Sequence, residues 1–286
     1  NSGDTKQHAV DFFLEQLRDS ACKVSGNQNA WQQIASLSHG FDQPGVYNGC
    51  SKLTHHQQRA DNKTDFALHL AVQLAKRCRV DYRSLEMTKE QLVHRVLSRV
   101  CMINSTRFRD HDLDENAQKR IGIAAARMGD LHLVMDDTPG VSAGDVEAKL
   151  ASGKPDVMFI DYLGLMRGDA AGNKPLWQIT GEITHALKES ARRHGAAVVA
   201  LVQLARAADR QKEPALSDLK GGSDIEADAD GVIFMRPQKT GEFLSGDDAW
   251  PVEAVIAKNR HGGVGRLRFN WQPQYHNYVP TDNTRR

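Results

Sequence analysis

The stretch HHQQRADNKTDFALHLAV, residues 55–72, joins a polar first half to a strongly patterned second half. Phe66, Leu70 and Leu74 recur at the spacing of one helical face, with alanines between them. This periodicity predicts a helix that begins at Thr64 and packs on one face. The first half has no apolar periodicity of its own and contains neither glycine nor proline.

At the junction of the two halves, Lys63 and Thr64 match the last two positions of the phosphate-loop pattern GxxxxGK[ST]. In that pattern the lysine pairs with phosphate oxygens and the hydroxyl binds magnesium. The two glycine positions of the pattern hold Gln57 and Asn62. Taken alone, a Lys-Thr pair before a helix is weak support for nucleotide binding, because most such pairs simply start helices.

Further along the chain, apolar runs of strand type alternate with helical periodicity, and strands alone close the chain. This order predicts an α/β fold with a mainly parallel sheet and an antiparallel C-terminal extension. The predicted helices cover residues 8–19, 88–100, 114–129, 142–152 and 181–195, and the predicted strands cover residues 79–87, 131–137, 156–166, 196–204, 231–236, 251–259 and 265–271.

The bulk composition is that of an ordinary globular protein. The chain has 286 residues, 40% of them apolar, and a net charge of +1, so any binding of nucleic acid must come from local patches. No apolar run is long enough to cross a bilayer, and the polar N-terminus lacks the apolar region of a signal peptide. The four cysteines have no metal-ligand spacing, which favours free thiols in a reducing compartment.

Polar side chains lie at the carboxyl ends of the predicted strands, where open α/β sheets bind ligands. They are Glu86, Asp161, Gln203, Lys258 and Arg260. A strand-end aspartate can orient magnesium through water, or it can simply cap the following turn. Likewise, the glutamate can activate a water for attack on a phosphate, or it can be a solvated residue at a helix start.

Several segments occur in an order more specific than any of them alone. Together they closely resemble the C-terminal, RecA-like motor domain of the DnaB-type replicative helicases. The segments are SLEM (84–87), MDDTPG (135–140), FIDYLGLM (159–166), EITHALKESAR (182–192), VVALVQLAR (198–206), LSDLKGGSDIEADADGVIF (216–234) and VIAKNRHGGVGRLRF (255–269). The resemblance covers residues 64–280 well. It is looser over residues 8–43, where it implies a linker helix that packs on an adjacent subunit.

The resemblance implies a RecA-like P-loop NTPase core with helices on both faces of the sheet, and ATP and Mg²⁺ as cofactors. Lys63 and Thr64 fall on the phosphate-loop lysine and hydroxyl, and Asp161 falls on the Walker B aspartate, so that Thr64 and Asp161 would hold the metal. Glu86 falls on the catalytic glutamate. Gln203 falls on the glutamine that senses the γ-phosphate.

It also implies a hexameric ring on single-stranded DNA. Lys258 and Arg260 fall on the basic pair that reaches the neighbouring subunit's nucleotide, the arginine-finger role, in which a cation supplied in trans stabilises transition-state charge. The segment LKGGSDIEADAD (219–230) falls on the DNA-gripping loop, where glycines allow close approach to phosphates. Its predicted DNA-binding residues are Lys220, Gly221, Gly222 and Ser223.

The sequence departs from this family at the phosphate loop. Asn62, which belongs to the predicted nucleotide-binding set, adds a Cβ atom where the backbone must wrap around a phosphate. Asp61 adds a negative charge. Two alternatives therefore stay open beside an active helicase motor. One is a catalytically impaired paralogue that serves as a structural or regulatory ring subunit. The other is a RecA-type recombinase, which the sequences of the segments SLEM and FIDYLGLM disfavour.

The predicted organisation is an N-terminal linker helix region, residues 1–35, followed by a motor domain, residues 36–286. The family's separate collar domain has no counterpart in this sequence. The resemblance further implies a helicase loader and a primase as partners and no association with a membrane. It also implies a location in the cytoplasm of a bacterial cell, with a phage-infected cell as one alternative.

Overall fold

A computed structural model describes residues 55–168, 174–204, 215–216, 219, 223–237, 249–260 and 262–281, and at 55–62, 176 and 223 it describes the backbone alone. The predicted linker helix and the segment SHGFDQ (38–43) lie outside these residues. So do Lys220, Gly221 and Gly222 of the predicted DNA-binding loop. Within the described residues, no helix has both the length and the apolar character needed to cross a bilayer.

Seven α-helices and eight strands organise the described residues. The helices are α1 (His55–Leu74), α2 (Lys89–Cys101), α3 (Ser105–Arg109), α4 (Glu115–Gly129), α5 (Ala143–Gly153), α6 (Leu176–His194) and α7 (Ser223–Asp228). The strands are β1 (Val80–Ser84), β2 (Leu133–Asp136), β3 (Val157–Asp161), β4 (Ala197–Ala200), β5 (Gly231–Pro237), β6 (Trp250–Asn259), β7 (Gly265–Gln272) and β8 (Asn277–Pro280).

The strands form two four-stranded sheets. The first is parallel, in the order β2-β1-β3-β4, and the second is antiparallel, in the order β5-β6-β7-β8. The predicted fold class, a parallel core followed by an antiparallel C-terminal part, is confirmed. Strand β8 and the short helices α3 and α7 were not predicted, since each spans only four to six residues and carries too little periodicity to detect.

Successive residues of β3 belong to two different cores. Val157 and Phe159 pack with α1 in one core, whereas Met158 and Ile160 pack with residues of α5 and α6 in the other. Side chains alternate across a strand, so helices cover both faces of the parallel sheet. Asp161 follows the same alternation, which places its side chain on the α1 face.

Helix α1 is buried on nearly every side from Thr64 onward. Its core includes Tyr82 and Phe159 of the parallel sheet together with Phe269 and Trp271 of the antiparallel sheet. The prediction that this helix packs on one face was therefore wrong. The second sheet packs against Phe66 of the predicted apolar face and also contacts Asp65 and His69 beside it, and the alanines of the helix fit this close packing.

The start of α1 also differs from the prediction. The helix begins at His55 rather than at Thr64, so Lys63 and Thr64 lie in its third turn. The segment HHQQRADN contains no glycine or proline, and its glutamines, arginine and alanine are good helix formers. Nothing in these residues stops the helix from extending towards the N-terminus.

Downstream, a capping box forms the start of α2. Thr88 caps α2, and its side chain accepts a hydrogen bond from the backbone N–H of Gln91, whose own side chain bonds back to the Thr88 backbone. This box fixes the start of α2 only three residues after Glu86, so the chain turns directly from the end of β1 into the helix.

Candidate functional site

Asp161 ends β3 on the face that carries α1, and its carboxylate meets two hydroxyl groups there. Thr64 Oγ1 donates a hydrogen bond of 2.7 Å to Asp161 Oδ2, and the Tyr82 hydroxyl donates one of 2.8 Å to the same oxygen. Tyr82 lies on the same face of the neighbouring strand β1. The predicted metal-holding pair, Thr64 and Asp161, is therefore in direct contact.

Burial raises the pKa of Asp161, while the hydrogen bonds from Thr64 and Tyr82 and the charge of Lys63 act in the opposite direction. A buried carboxylate beside a hydroxyl offers the oxygen ligands that Mg²⁺ prefers. Among the described residues there is no cluster of three or more His, Cys, Asp or Glu side chains able to hold a metal. The pair therefore fits an ion such as Mg²⁺, most of whose ligands are water and phosphate oxygens. It does not fit an ion that is coordinated by protein side chains alone.

Lys63 extends from α1 towards the end of β4. Its Nζ donates a hydrogen bond of 3.2 Å to the Val202 carbonyl and lies 6.0 Å from the ring centroid of Tyr162. Burial lowers the pKa of Lys63, and the charges of Asp161 and Glu86 oppose that shift. The two carboxylates thus favour the charged form of the amine, and its partial burial strengthens the attraction of that charge for a phosphate anion.

The remaining two predicted residues of this group lie just beyond strand ends. Glu86 is exposed, two residues after β1, and its charge influences both Lys63 and Tyr162. Gln203 lies three residues after β4, and its side chain acts to lower the pKa of Tyr162 against the larger effect of burial, which raises it. We refer to Lys63, Thr64, Glu86, Asp161 and Gln203 as the strand-end cluster, since they meet at the carboxyl edge of the parallel sheet.

Lys258 and Arg260 contact a different part of the molecule. Lys258 Nζ donates to the Glu226 carbonyl, and Arg260 donates to the Ala227 carbonyl and, at 2.9 Å, to Asp230 Oδ1. Both cations thus bind the C-terminal end of α7, where the helix dipole favours positive charge. The structure does not bring them to the strand-end cluster of their own chain.

The other predicted binding residues are described only in part or lie outside the described residues. Asn62 lies within α1, one residue before Lys63, and Ser223 is the first residue of α7; in both cases only the backbone is described. The three residues before Ser223, predicted to bind DNA, are outside the described residues. Their roles stay predictions.

Sequence analysis missed Asp65, which is fully buried and holds the cluster's main helix in place. Its carboxylate is 2.8 Å from Arg95 of α2, 3.1 Å from Trp271 Nε1 of β7 and 3.0 Å from His276 Nδ1. Burial alone would raise the pKa of Asp65, but His276 and Arg95 lower it overall. Asp65 therefore ties the turn of α1 that carries Lys63 and Thr64 to α2 and to the antiparallel sheet.

Two tyrosines at the cluster were also missed. Tyr82 and Asp161 sit on the same face of adjacent strands, and Tyr162 directly follows the aspartate in the sequence. The signal for Tyr82 was its alternation along the strand with Val80, both facing α1. Tyr162 gave no periodic signal, because the chain leaves β3 at this point and turns into the short 3₁₀ helix Leu163–Leu165.

Comparison with known proteins gives consistent results. The family model described as DnaB-like helicase C terminal domain matches residues 58–280. The replicative DNA helicase DnaC of Bacillus subtilis (strain 168) is 28% identical over 274 residues, covering 93% of this chain and 59% of that protein. The chain thus spans about three fifths of the length of this curated relative.

Solved structures agree with the sequence comparison. A structure described as the ATPase domain of G40P superposes with a TM-score of 0.70 and 27% identity, covering 77% of this chain and 81% of that chain. A structure described as a DnaB-like replicative helicase and its interactions with primase gives a TM-score of 0.69 and 26% identity. The match covers 76% of this chain and 56% of that chain. The resemblance seen in the sequence and the RecA-like fold it implied are both confirmed.

Proposed function

The chain belongs to the family of DnaB-like helicase C-terminal domains, and we propose that it is the ATP-hydrolysing motor of a replicative DNA helicase. Replicative helicase relatives and an ATPase-domain neighbour support the coarser assignment. The finer assignment is the proposal: hydrolysis at subunit interfaces of a hexameric ring that translocates on single-stranded DNA.

The observation that carries the proposal is the strand-end cluster. Five side chains from α1 and from the ends of β1, β3 and β4 meet at the edge of the parallel sheet where such folds bind ligands. Thr64 and Asp161 would hold Mg²⁺, and the ion would neutralise charge on the transferred phosphoryl group. Lys63 would pair with phosphate oxygens.

Glu86 fits the general base. It is the exposed carboxylate of the cluster, whereas Asp161 is buried and bonded to two hydroxyls. An exposed carboxylate can accept a proton from water, and Gln203 would contact the γ-phosphate. Glu86 is thus assigned to water activation and Asp161 to the metal.

The remaining assignments concern neighbours. Lys258 and Arg260 would reach the nucleotide of the adjacent subunit, and residues Lys220 to Ser223 would hold DNA phosphates in the channel. A loader and a primase are the proposed partners; primase is named with one structural neighbour. The proposed location is the bacterial cytoplasm.

One specific observation favours a second candidate, an inactive ring subunit. Residues 55–62 lie in helix α1, where a phosphate loop would have to fold, and the two glycine positions hold Gln57 and Asn62. A helical backbone there points its amides along the helix rather than around a phosphate. For a subunit of this kind, we expect assembly without nucleotide binding.

The test of the proposed function is DNA-stimulated ATP hydrolysis by the full chain and by Glu86→Gln. We expect Glu86→Gln to lower turnover about 100-fold or more, the usual contribution of a general base. Binding of a fluorescent ATP analogue should stay within about twofold, because the amide keeps the size of the side chain and removes only its basicity. Glu90→Gln, an exposed glutamate in the first turn of α2, is the matched control and should behave as wild type.

Loss of nucleotide binding in Glu86→Gln would remove Glu86 from the catalytic role. Absence of hydrolysis in the wild type, with the oligomer intact, would favour the inactive-subunit candidate.

A further inference from the structure

The segment MDDTPG (135–140) has no part in the roles assigned above, although it lies at the carboxyl edge of the parallel sheet. Asp136 is the last residue of β2, and Asp137 is the next residue along the chain. Strand β2 pairs with β1, and β1 leads into the turn that carries Glu86. The two aspartates therefore lie beside the turn of the proposed general base.

Asp137 binds the start of α2. Its Oδ2 accepts a hydrogen bond of 3.0 Å from the backbone N–H of Lys89, the first residue of that helix. The first N–H groups of a helix have no partner within the helix, and a carboxylate there also suits the helix dipole. The Thr88 hydroxyl accepts from the N–H of Gln91, so Asp137 supplies a second acceptor from a neighbouring strand. This contact ties the end of β2 to the chain three residues after Glu86.

Asp136 holds the other end of the same turn through the side chain of Arg83. Arg83 Nη1 donates a hydrogen bond of 2.6 Å to Asp136 Oδ2, while its Nε and Nη2 donate to the two oxygens of Asp81 at 2.7 and 3.0 Å. Arg83 is only 5% exposed, and a buried guanidinium held by such bonds has little freedom to move. Asp136 is fixed in turn by Thr138, whose N–H and hydroxyl both donate to Oδ1.

The turn itself is also bonded to β3. The Leu85 N–H donates a hydrogen bond of 2.6 Å to the Asp161 carbonyl, and the Met87 N–H donates one of 3.1 Å to the Ser84 hydroxyl. Strands β2 and β3 lie on opposite sides of β1, so the turn is anchored to both neighbours of the strand from which it emerges. Glu86, whose side chain is exposed, lies between these anchored residues.

We propose that Asp136 and Asp137 are positioning residues for Glu86: they fix the two ends of its turn against β2, so that the carboxylate stays where it can accept a proton from the attacking water. This inference rests on the proposed role of Glu86 as general base. A misplacement of about 1 Å can lower a reaction rate about 100-fold, so an anchor of this kind matters for turnover. Neither aspartate has a role in holding the nucleotide, and their effect reaches the reaction through Glu86.

Substitution at Asp137 separates the hydrogen bond from the charge. Asp137→Ala removes the acceptor, whereas Asp137→Asn keeps a carbonyl oxygen that can accept from the Lys89 N–H. We expect Asp137→Ala to lower kcat about tenfold with KM within about twofold, because Lys63, Thr64 and Asp161 still hold the nucleotide. In Asp137→Asn, kcat should return to within about threefold of wild type, since a neutral acceptor forms a weaker hydrogen bond in the same place.

Two comparisons separate positioning from a general loss of stability. Asp114→Ala is the matched control, because Asp114 caps a different helix, α4, by accepting a hydrogen bond of 2.7 Å from the Ala117 N–H. This variant also loses a carboxylate cap, yet it should keep the wild-type kcat. In the Glu86→Gln background, Asp137→Ala should lower the single-turnover rate no further, because a base that has been removed cannot be misplaced.

Hydrogen exchange of the peptide covering residues 84–92, followed by mass spectrometry, gives a readout that does not depend on turnover. Exchange at the Lys89 amide should be about tenfold or more faster in Asp137→Ala and close to wild type in Asp137→Asn. A wild-type kcat in Asp137→Ala, an equal loss in the Glu86→Gln background, or unchanged exchange at Lys89 would each overturn the inference.

The same measurements distinguish this inference from the proposed function. A wild type that hydrolyses no ATP would refute the proposed function and, with it, the effect on catalysis. Wild-type hydrolysis that depends on Glu86 and not on Asp137 would refute the positioning role alone.

Discussion

A single carboxylate oxygen, Asp161 Oδ2, accepts hydrogen bonds from the hydroxyls of both Thr64 and Tyr82. These two hydrogen bonds join α1, β1 and β3. The residues on either side of the Thr64–Asp161 pair matter as much as the pair itself. Asp65 anchors the helix that carries Thr64, and the ring of Tyr162 lies 6.0 Å from Lys63 Nζ. At the residue scale, the cluster is therefore supported by the immediate chain neighbours of its two proposed metal-holding residues.

The buried Asp65 gives the clearest stability prediction. Asp65→Asn removes the negative charge that compensates Arg95, so the guanidinium keeps its desolvation cost without the ion pair. The substitution also weakens the acceptor that Trp271 and His276 contact. We expect the free energy of unfolding to fall by about 3 kcal/mol, the lower end for a broken buried ion pair. Urea unfolding followed by circular dichroism measures the change.

The matched control for this variant is Asp110→Asn, which breaks an exposed pair with Arg109. Such surface pairs are screened by solvent, so the free energy of unfolding should barely change. If Asp65→Asn proved as harmless as Asp110→Asn, Asp65 would not be the anchor of α1.

At the scale of elements, α1 was predictable in type and not in extent. The spacing of its apolar residues revealed a helix, but its start at His55 depends on what is missing from HHQQRADN: the glycines that would form a loop. The burial of α1 on nearly every side depends on the antiparallel sheet. The residues of that sheet that contact α1, such as Trp271, lie about 200 positions further along the chain. Local patterning carries no information about such a distant contact.

Helix α7 was missed for the opposite reason, because its six residues are too few to show a period. Its importance comes from its contacts: Lys188, Lys258 and Arg260 all donate to its C-terminal carbonyls or to Asp230 just beyond. The strand-end residues were predictable because their positions follow from strand ends. The contacts of Lys258 and Arg260 within their own chain were not predictable, since they depend on this short helix.

At the scale of the whole molecule, the separation of Arg260 from the strand-end cluster suits a residue that serves a neighbouring subunit. We expect Arg260→Ala to bind ATP while turnover falls about 1,000-fold, the magnitude typical of an arginine finger. Arg268→Ala, which removes an exposed cation on the neighbouring strand β7, is the matched control and should keep its turnover.

Mixed assemblies test the trans assignment directly. Lys63→Ala subunits lack the phosphate lysine but keep Arg260, so a mixture with Arg260→Ala subunits contains interfaces with one intact copy of each. Mixing two inactive variants should therefore restore part of the hydrolysis. If mixing restored nothing while both variants still entered the same assembly, Arg260 would have to act within its own chain.

The central claim is that Lys63, Thr64 and Asp161 form a nucleotide site despite the missing loop glycines. The most direct measurement is equilibrium binding of a fluorescent ATP analogue to the full chain, with and without Mg²⁺ and with and without single-stranded DNA. We predict Mg²⁺-dependent binding that Lys63→Ala weakens by about tenfold or more, as loss of a desolvated charge contact implies. An intact assembly that binds no nucleotide under any of these conditions would contradict the claim and identify the chain as an inactive ring subunit.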